Sequence, residues 1–266
     1  MLFQNSMGSE IGRINFLENT TLNPIYSSIA IGANALYSNT TGTRNVAIGA
    51  NTLYSNTTGS NNIVLGYSAL YNNTTGGSNI AIGMNSLSMN STGSRNVSIG
   101  QGSMYNNTTG NNNVSVGYQS LFNNSTGESN TAVGYQSLRL NQFGYQNTAI
   151  GAVAMYSNTT GYWNTALGGG ALYFNTTGIE NMGIGYASIY SNISGNYNIS
   201  IGNWSMFYNT TGNSNTALGY AALWGNTTGY SNTAVGRDSL RNNSTGSENT
   251  AVGLSSLNNN TSGMAN

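Results

Sequence analysis

A unit of 17 residues repeats through almost the whole of this 266-residue chain without one insertion or deletion. Each unit carries a glycine directly after an Ile, Val or Leu; we call it the marker glycine and count positions from it. The marker glycines are Gly32, Gly49, Gly66, Gly83, Gly100, Gly117, Gly134, Gly151, Gly168, Gly185, Gly202, Gly219, Gly236 and Gly253. A second glycine column lies at position +10, from Gly42 to Gly263. A strict short period is typical of a solenoid, whose units stack on one another.

The residues within one unit favour β-structure. Asn79 to Ile82 are only four residues between turn signals and include β-branched types, so they predict a strand rather than a helix. A second short strand is predicted around Ala35-Leu36-Tyr37 and its equivalents. Glycine in both columns fits turns that need a positive φ or leave no room for a Cβ. The sequence therefore predicts an all-β fold, a parallel β-solenoid or β-roll with 14 rungs of 17 residues.

Two apolar columns are predicted to form the core. Position −1 is always Ile, Val or Leu, and position +4 is always Leu, Met or Ile. With position −1 facing inward, Ile99→Asp would bury an unpaired charge and be severely destabilising. Positions −2 and +3 hold small residues, which let another surface approach closely.

The chain divides into two segments. Residues 1–28 do not fit the repeat, and residues 29–266 form the array. The first segment has apolar residues such as Ile14 and Phe16, and Pro24 marks its junction with the first rung. Two interpretations remain open: an N-terminal cap over the edge of the first rung, or a docking segment for another subunit.

One asparagine column lies at position −4. Stacked asparagine side chains hydrogen-bond along a ladder and satisfy turn backbone groups, so this column is interpreted as structural. Its members are Asn45, Asn62, Asn79, Asn96, Asn113, Asn130, Asn147, Asn164, Asn181, Asn198, Asn215, Asn232 and Asn249.

A second asparagine column, at position +7, begins the Asn-Thr-Thr-Gly turn. Thirteen of its 14 members start an Asn-x-Ser/Thr acceptor for N-glycosylation, Asn141 being the exception. A turn that needs Asn and Thr creates such sequences automatically, so a structural role and glycan attachment both remain open. If the column faces outward, glycans would clothe one edge. The candidate attachment sites are Asn39, Asn56, Asn73, Asn90, Asn107, Asn124, Asn158, Asn175, Asn192, Asn209, Asn226, Asn243 and Asn260.

An aromatic column lies at position +5. Aromatic stripes cover seams between packed chains and also bind sugars by ring stacking. The seam is favoured here, with a neighbouring subunit or an attached glycan as its partner. The column comprises Tyr37, Tyr54, Tyr71, Tyr105, Phe122, Tyr156, Tyr173, Tyr190, Phe207 and Trp224.

Composition narrows the classes of function. Only 5% of residues are charged, the formal net charge is zero, and the chain has no His and no Cys. This argues against nucleic-acid binding, which needs a basic face, and excludes thiol or imidazole chemistry. Glu180 and Glu248 share a column but lie four rungs, ~19 Å, apart, beyond the spacing of a glycosidase pair. We expect no enzyme activity, no metal and no cofactor. No apolar run approaches the ~20 residues of a membrane helix, so no membrane insertion is expected.

The Asn-x-Ala-Ile/Val-Gly core, followed by small, apolar and Asn-Thr-Thr-Gly positions, resembles the head repeats of trimeric autotransporter adhesins. It is even more similar to the 17-residue repeats of phage and large-virus tail-fibre proteins, as in Asn215 to Tyr220 with Asn226 to Gly229. The resemblance covers residues 29–266. It implies a left-handed β-roll and side-by-side trimers.

Together these features predict a non-enzymatic structural protein of an extracellular fibre, at a cell surface or in a virion. It would be adhesive, glycan-coated and homo-oligomeric, as a lateral trimer or an end-to-end fibre in which residues 1–28 of one copy dock on the last rung of the next. One alternative is a solenoid that binds carbohydrate through its aromatic stripe, or ice through the threonine columns that begin at Thr40 and Thr41. Another is the receptor-binding shaft of a viral tail fibre.

Overall fold

The computed structural model describes residues 2–4, 10–17 and 28–266. In these residues every regular element is a β-strand. The chain comprises two compact units, Met1–Ser129 and Asn130–Asn266. Each unit is a parallel β-solenoid with one strand per 17-residue coil, which confirms the predicted fold class.

The first unit contains six parallel strands preceded by an antiparallel pair. The strands are β1 (Leu2–Gln4), β2 (Glu10–Leu17), β3 (Ser28–Ile31), β4 (Val46–Ile48), β5 (Ile63–Leu65), β6 (Ile80–Ile82), β7 (Val97–Ile99) and β8 (Val114–Val116). Strand β2 pairs antiparallel with β1 and with β3, so it lies along the edge of the first rung. Pro24, the predicted junction, lies outside the described residues.

The second unit contains eight parallel strands. They are β9 (Thr131–Val133), β10 (Thr148–Ile150), β11 (Thr165–Leu167), β12 (Met182–Ile184), β13 (Ile199–Ile201), β14 (Thr216–Leu218), β15 (Thr233–Val235) and β16 (Thr250–Val252). Neighbouring strands pair residues 17 apart, for example Ala149 with Ala166. The stacking register is therefore the sequence period.

The prediction of a second strand in each coil is wrong. The segment after the marker glycine is a turn in which positions +2 and +4 adopt left-handed backbone, with φ of 51° at both Gln136 and Leu138. Its N–H groups still bond to neighbouring coils: Leu138 N donates to Ala154 O at 2.9 Å. Alternating left-handed residues are not strand geometry, although they satisfy the backbone between coils.

The predicted core register is half wrong. The small middle residue of each strand, position −2, is buried, whereas position −1 faces outward, with Ile99 36% exposed. Successive strand residues point to opposite faces, so burying position −2 exposes both of its neighbours. Ile99→Asp therefore places its carboxylate at a partly exposed position. The position +4 column is inside as expected, from Leu53 to Leu240.

The interior is thin where small residues face each other. Ser98 Oγ donates to Ser103 Oγ at 2.9 Å, and Ser103 Oγ donates to Ser115 Oγ at 2.8 Å. These serines occupy positions −2 and +3, so opposite walls of the coil meet within hydrogen-bond distance. This close approach explains why both columns hold small residues.

Candidate functional site

The asparagines at position −4 form buried ladders within each unit. Asn164 Nδ2 donates to Asn147 Oδ1 at 3.1 Å and to Gly178 O at 2.8 Å. Asn147 Oδ1 also accepts the backbone N–H of Asn164 at 3.0 Å. The amide hydrogens and carbonyl oxygen are thus used by the fold itself.

The candidate glycan column at position +7 faces inward. From Asn56 to Asn243 these asparagines are fully buried. Asn158 Nδ2 donates to Asn141 Oδ1 at 2.8 Å and to Gly161 O at 3.0 Å. An N-linked glycan would replace one of these donated hydrogens and has no room inside the coil. A glycan-covered edge would need this column to face outward, and from Asn56 to Asn243 it faces inward.

The second glycine joins the two asparagine columns. Gly161 O accepts Asn147 Nδ2 at 2.8 Å as well as Asn158 Nδ2 at 3.0 Å. A Cβ added to Gly161 would lie 2.4 Å from Asn158 Oδ1 and 2.5 Å from Gly178 O. This column is glycine because neighbouring polar atoms occupy the place of the side chain.

The aromatic column at position +5 stacks on itself. Tyr173 lies between Tyr156 and Tyr190, with ring centroids 5.2 and 5.1 Å apart. Burial, followed by the nearby Tyr190 and Tyr156 hydroxyls, raises the pKa of Tyr173. Inner rings present edges rather than faces, so sugar stacking on their faces is blocked. A seam between chains along these edges stays a prediction.

The first threonine column is also used by the backbone. Thr57 Oγ1 donates to Thr74 O at 3.0 Å, and Thr74 Oγ1 donates to Ser91 O at 3.0 Å. These hydroxyls bond along the solenoid, so the column that begins at Thr40 is a structural ladder rather than a free array of hydroxyls.

The sequence pattern does not predict the outward face of the strands, because hydrophobicity places position −1 in the core. In the first unit both outward positions, −3 and −1, are aliphatic in all six coils. We call these residues the aliphatic face: Ile29, Ile31, Val46, Ile48, Ile63, Leu65, Ile80, Ile82, Val97, Ile99, Val114 and Val116. In the second unit position −3 is threonine in six of eight strands. The alternation of apolar and small residues was the signal for this face.

Aromatic residues outside the predicted column form a second exposed feature. They lie in the second unit at positions −6 and −5, just after the second glycine of the preceding turn, and are Tyr145, Tyr162, Trp163, Tyr197 and Tyr230. The signal for them was aromatic residues at two positions that vary along the array and that elsewhere hold mainly small polar or charged residues.

The chain has few charged groups, and no two of its acidic residues are neighbours in the sequence. In the part of the chain that the structure describes, no group of three His, Cys, Asp or Glu residues is placed to hold a metal ion. Asp238 contacts Arg237 at 3.1 Å and Arg241 at 3.5 Å, and Arg241 lies over the Trp224 ring. Over the same residues, no helix is long and apolar enough to cross a membrane.

Comparison of the chain with protein-family models, with curated proteins and with solved structures gave no match.

Proposed function

We propose that this chain is a non-enzymatic structural module of an extracellular fibre, and that it associates side by side with copies of itself through the aliphatic face. The observation that carries the proposal is that face, in which both outward residues of every strand from β3 to β8 are Ile, Val or Leu. Five of its twelve side chains are exposed and seven are half-buried. A contiguous apolar surface that solvent reaches is typical of an interaction site.

The face is well suited to a partner with the same architecture. Its side chains recur once per coil, at about 4.8 Å along the stacking direction. A partner covering the face along its length needs apolar groups at the same spacing, and a second copy supplies them. The twelve positions hold no charged residue, so hydrophobic burial rather than ion pairing would stabilise the contact.

A structural role is also supported by the contacts that each recurring position of the coil makes. The asparagine side chains hydrogen-bond to one another and to the backbone carbonyl oxygens of the second glycines. The small residues at positions −2 and +3 allow the opposite walls of the coil to approach each other. Acidic residues are dispersed and histidine is absent. The extracellular or virion location rests on the resemblance to adhesin heads and tail-fibre repeats.

Sedimentation velocity and light scattering on the intact chain and on a triple variant, Ile63→Thr, Ile80→Thr and Val97→Thr, test the proposal. We expect the wild-type chain to form oligomers and the variant to shift towards monomer, because three aliphatic contacts are replaced by polar ones. Threonine occupies the equivalent position in Thr148 and Thr165, so the fold accepts it there.

Met84→Thr is the matched control, since Met84 is an exposed apolar residue of the same unit that lies off the aliphatic face. It should leave the oligomer mass unchanged, and circular dichroism should show that both variants keep the wild-type fold. A wild-type chain that stays monomeric over the whole concentration range, or a triple variant with the wild-type mass, contradicts the proposal.

A further inference from the structure

Trp163 forms a supported, solvent-facing platform in the second unit. Tyr145 and Tyr162 stack face to face, with centroids 4.7 Å apart and planes 7° from parallel. Trp163 is perpendicular to both, 5.0 Å from Tyr162 and 6.2 Å from Tyr145. The tyrosine faces cover each other, so the tyrosines present their edges to the indole. The indole therefore lies beside the stacked pair rather than on one of its faces, and the residue is 50% exposed.

The platform is held in place before any ligand binds. Trp163 Nε1 donates to Gln146 Oε1 of the preceding coil. The backbone N–H of Trp163 donates to Tyr145 O at 3.3 Å. A ring fixed in this way loses little conformational entropy when a ligand stacks on it.

Tyr197 lies at the same position of the repeat two coils away. Trp163, Glu180 and Tyr197 share position −5, and their φ angles are 59°, 53° and 60°. Side chains on the same backbone conformation leave the coil in the same direction. Tyr197 is 51% exposed, and two coil spacings place it roughly 9.6 Å from Trp163 along the stacking direction. Glu180 lies between them and is exposed.

The fold does not require these rings. Coils without aromatic residues at positions −6 and −5, such as those with Asn61, Ser78 or Ser214, have the same left-handed backbone. A bulky aromatic residue at a positive φ is uncommon. Because the Trp163 and Tyr197 rings are exposed, they bury little apolar area that would stabilise the fold. The rings are therefore better explained by binding than by folding.

We propose that Trp163 and Tyr197, with Glu180 between them, bind an extended, neutral, β-1,4-linked glycan that runs along the stacking direction. The C–H face of a pyranose stacks on an aromatic face. One sugar of such a chain is about as long as the distance between neighbouring coils. Because Trp163 and Tyr197 lie two coils apart, they contact alternate sugars. The sugar between them presents hydroxyl donors to the Glu180 carboxylate.

The charge at the site selects neutral glycans. Positions −6 and −5 hold no Arg or Lys in the second unit, and Glu180 is negative. Sulfated or carboxylated chains bind through cations, and here they would meet a like charge. Unlike Trp163 and Tyr197, the stacked rings of the position +5 column leave no comparable free face in their interior.

Isothermal titration of the intact chain with cellohexaose, chitohexaose and heparin tests the site. We expect saturable binding of at least one neutral hexasaccharide and none of heparin. Trp163→Ala and Tyr197→Ala should each weaken binding about tenfold, the scale of one lost aromatic contact. Trp204→Ala is the matched control, because Trp204 is 42% exposed at position +2, and it should bind as the wild-type chain does.

Light scattering on the same variants separates a glycan site from a protein contact. The proposal requires Trp163→Ala to keep the wild-type mass, and it does not depend on the aliphatic face. It is overturned if neither hexasaccharide binds up to millimolar concentration, if Trp163→Ala binds them as tightly as wild type, or if Trp163→Ala alone changes the oligomer mass.

Discussion

Asn164 donates its side-chain amide to Asn147 Oδ1 at 3.1 Å, and the same oxygen accepts the Asn164 backbone N–H at 3.0 Å. Asn164 Oδ1 in turn accepts from the next asparagine, Asn181, at 3.0 and 3.2 Å. One side chain thus serves as donor to one coil and acceptor from another. Only a carboxamide offers both functions in this shape.

Asn164→Asp should destabilise the protein by roughly 3 kcal/mol near neutral pH, because the donor is lost and a charge is buried. Burial raises the pKa of such an aspartate above its unfolded value of about 3.9. The variant therefore loses stability, relative to its value at acidic pH, as the pH rises from about 3.9 through the pKa of the folded state. Above the folded-state pKa the loss is complete. Chemical denaturation at several pH values measures the effect.

Asn203→Asp is the control for that variant. Asn203 is exposed, and its Oδ1 accepts the backbone N–H of Tyr186 at 2.8 Å, a role that a carboxylate retains. We expect a change within about 0.5 kcal/mol. Equal losses of stability in the two variants would show that the ladder is not the cause.

Gly161→Ala should cost about 3 kcal/mol or more, since its Cβ would lie 2.4 Å from Asn158 Oδ1 and 2.5 Å from the carbonyl oxygen of Gly178. Gly169→Ala provides the comparison. Its Cβ would have Tyr186 Cδ2 as its nearest neighbour, at 3.5 Å, and we expect a change within about 0.5 kcal/mol. Thermal unfolding of the two variants tests the difference, and an unperturbed Gly161→Ala would contradict the steric explanation.

Leu223→Ala and Leu218→Ala test the core register with the same substitution five residues apart. Leu223, at position +4, is fully buried, whereas Leu218, at position −1, is 44% exposed. We expect a loss of ~2–5 kcal/mol for Leu223→Ala and less than ~1 kcal/mol for Leu218→Ala. Urea denaturation provides both values. The reverse order would restore the register in which position −1 faces inward.

Val153→Asn should stabilise the chain by about 1 kcal/mol. Val153 has a φ of 51°, and left-handed backbone is costly for a β-branched residue but tolerated by asparagine. Asn51 and Asn85 occupy the equivalent position with φ of 57° and 56°. Val235→Asn, in strand β15, should instead reduce stability, because asparagine is unfavourable in a strand. A loss of stability in Val153→Asn, measured by calorimetry, would contradict the strain argument.

The solenoid, its period and the stacking register were predictable from the sequence. Every coil places equivalent residues in equivalent surroundings, so the requirements of one turn recur as columns. Gly161 and its equivalents are invariant because no Cβ fits, and Asn147 and its equivalents recur because each must match the next. A 17-residue pattern in the sequence is the direct record of that geometry.

Which face of each strand turns inward was decided only by the tertiary structure. Hydrophobicity favoured residues such as Ile99 for the interior, but the coil is too thin there: Ser98 and Ser103 hydrogen-bond across it. The candidate glycan sites also lie inside, because their asparagine side chains fill the interior and hydrogen-bond from coil to coil. The Trp163 platform depends on Tyr145 and Gln146 of the preceding coil, which only stacking brings beside it. Contacts across the coil and between coils determine these outcomes, because a residue's own position in the repeat does not specify what lies opposite it.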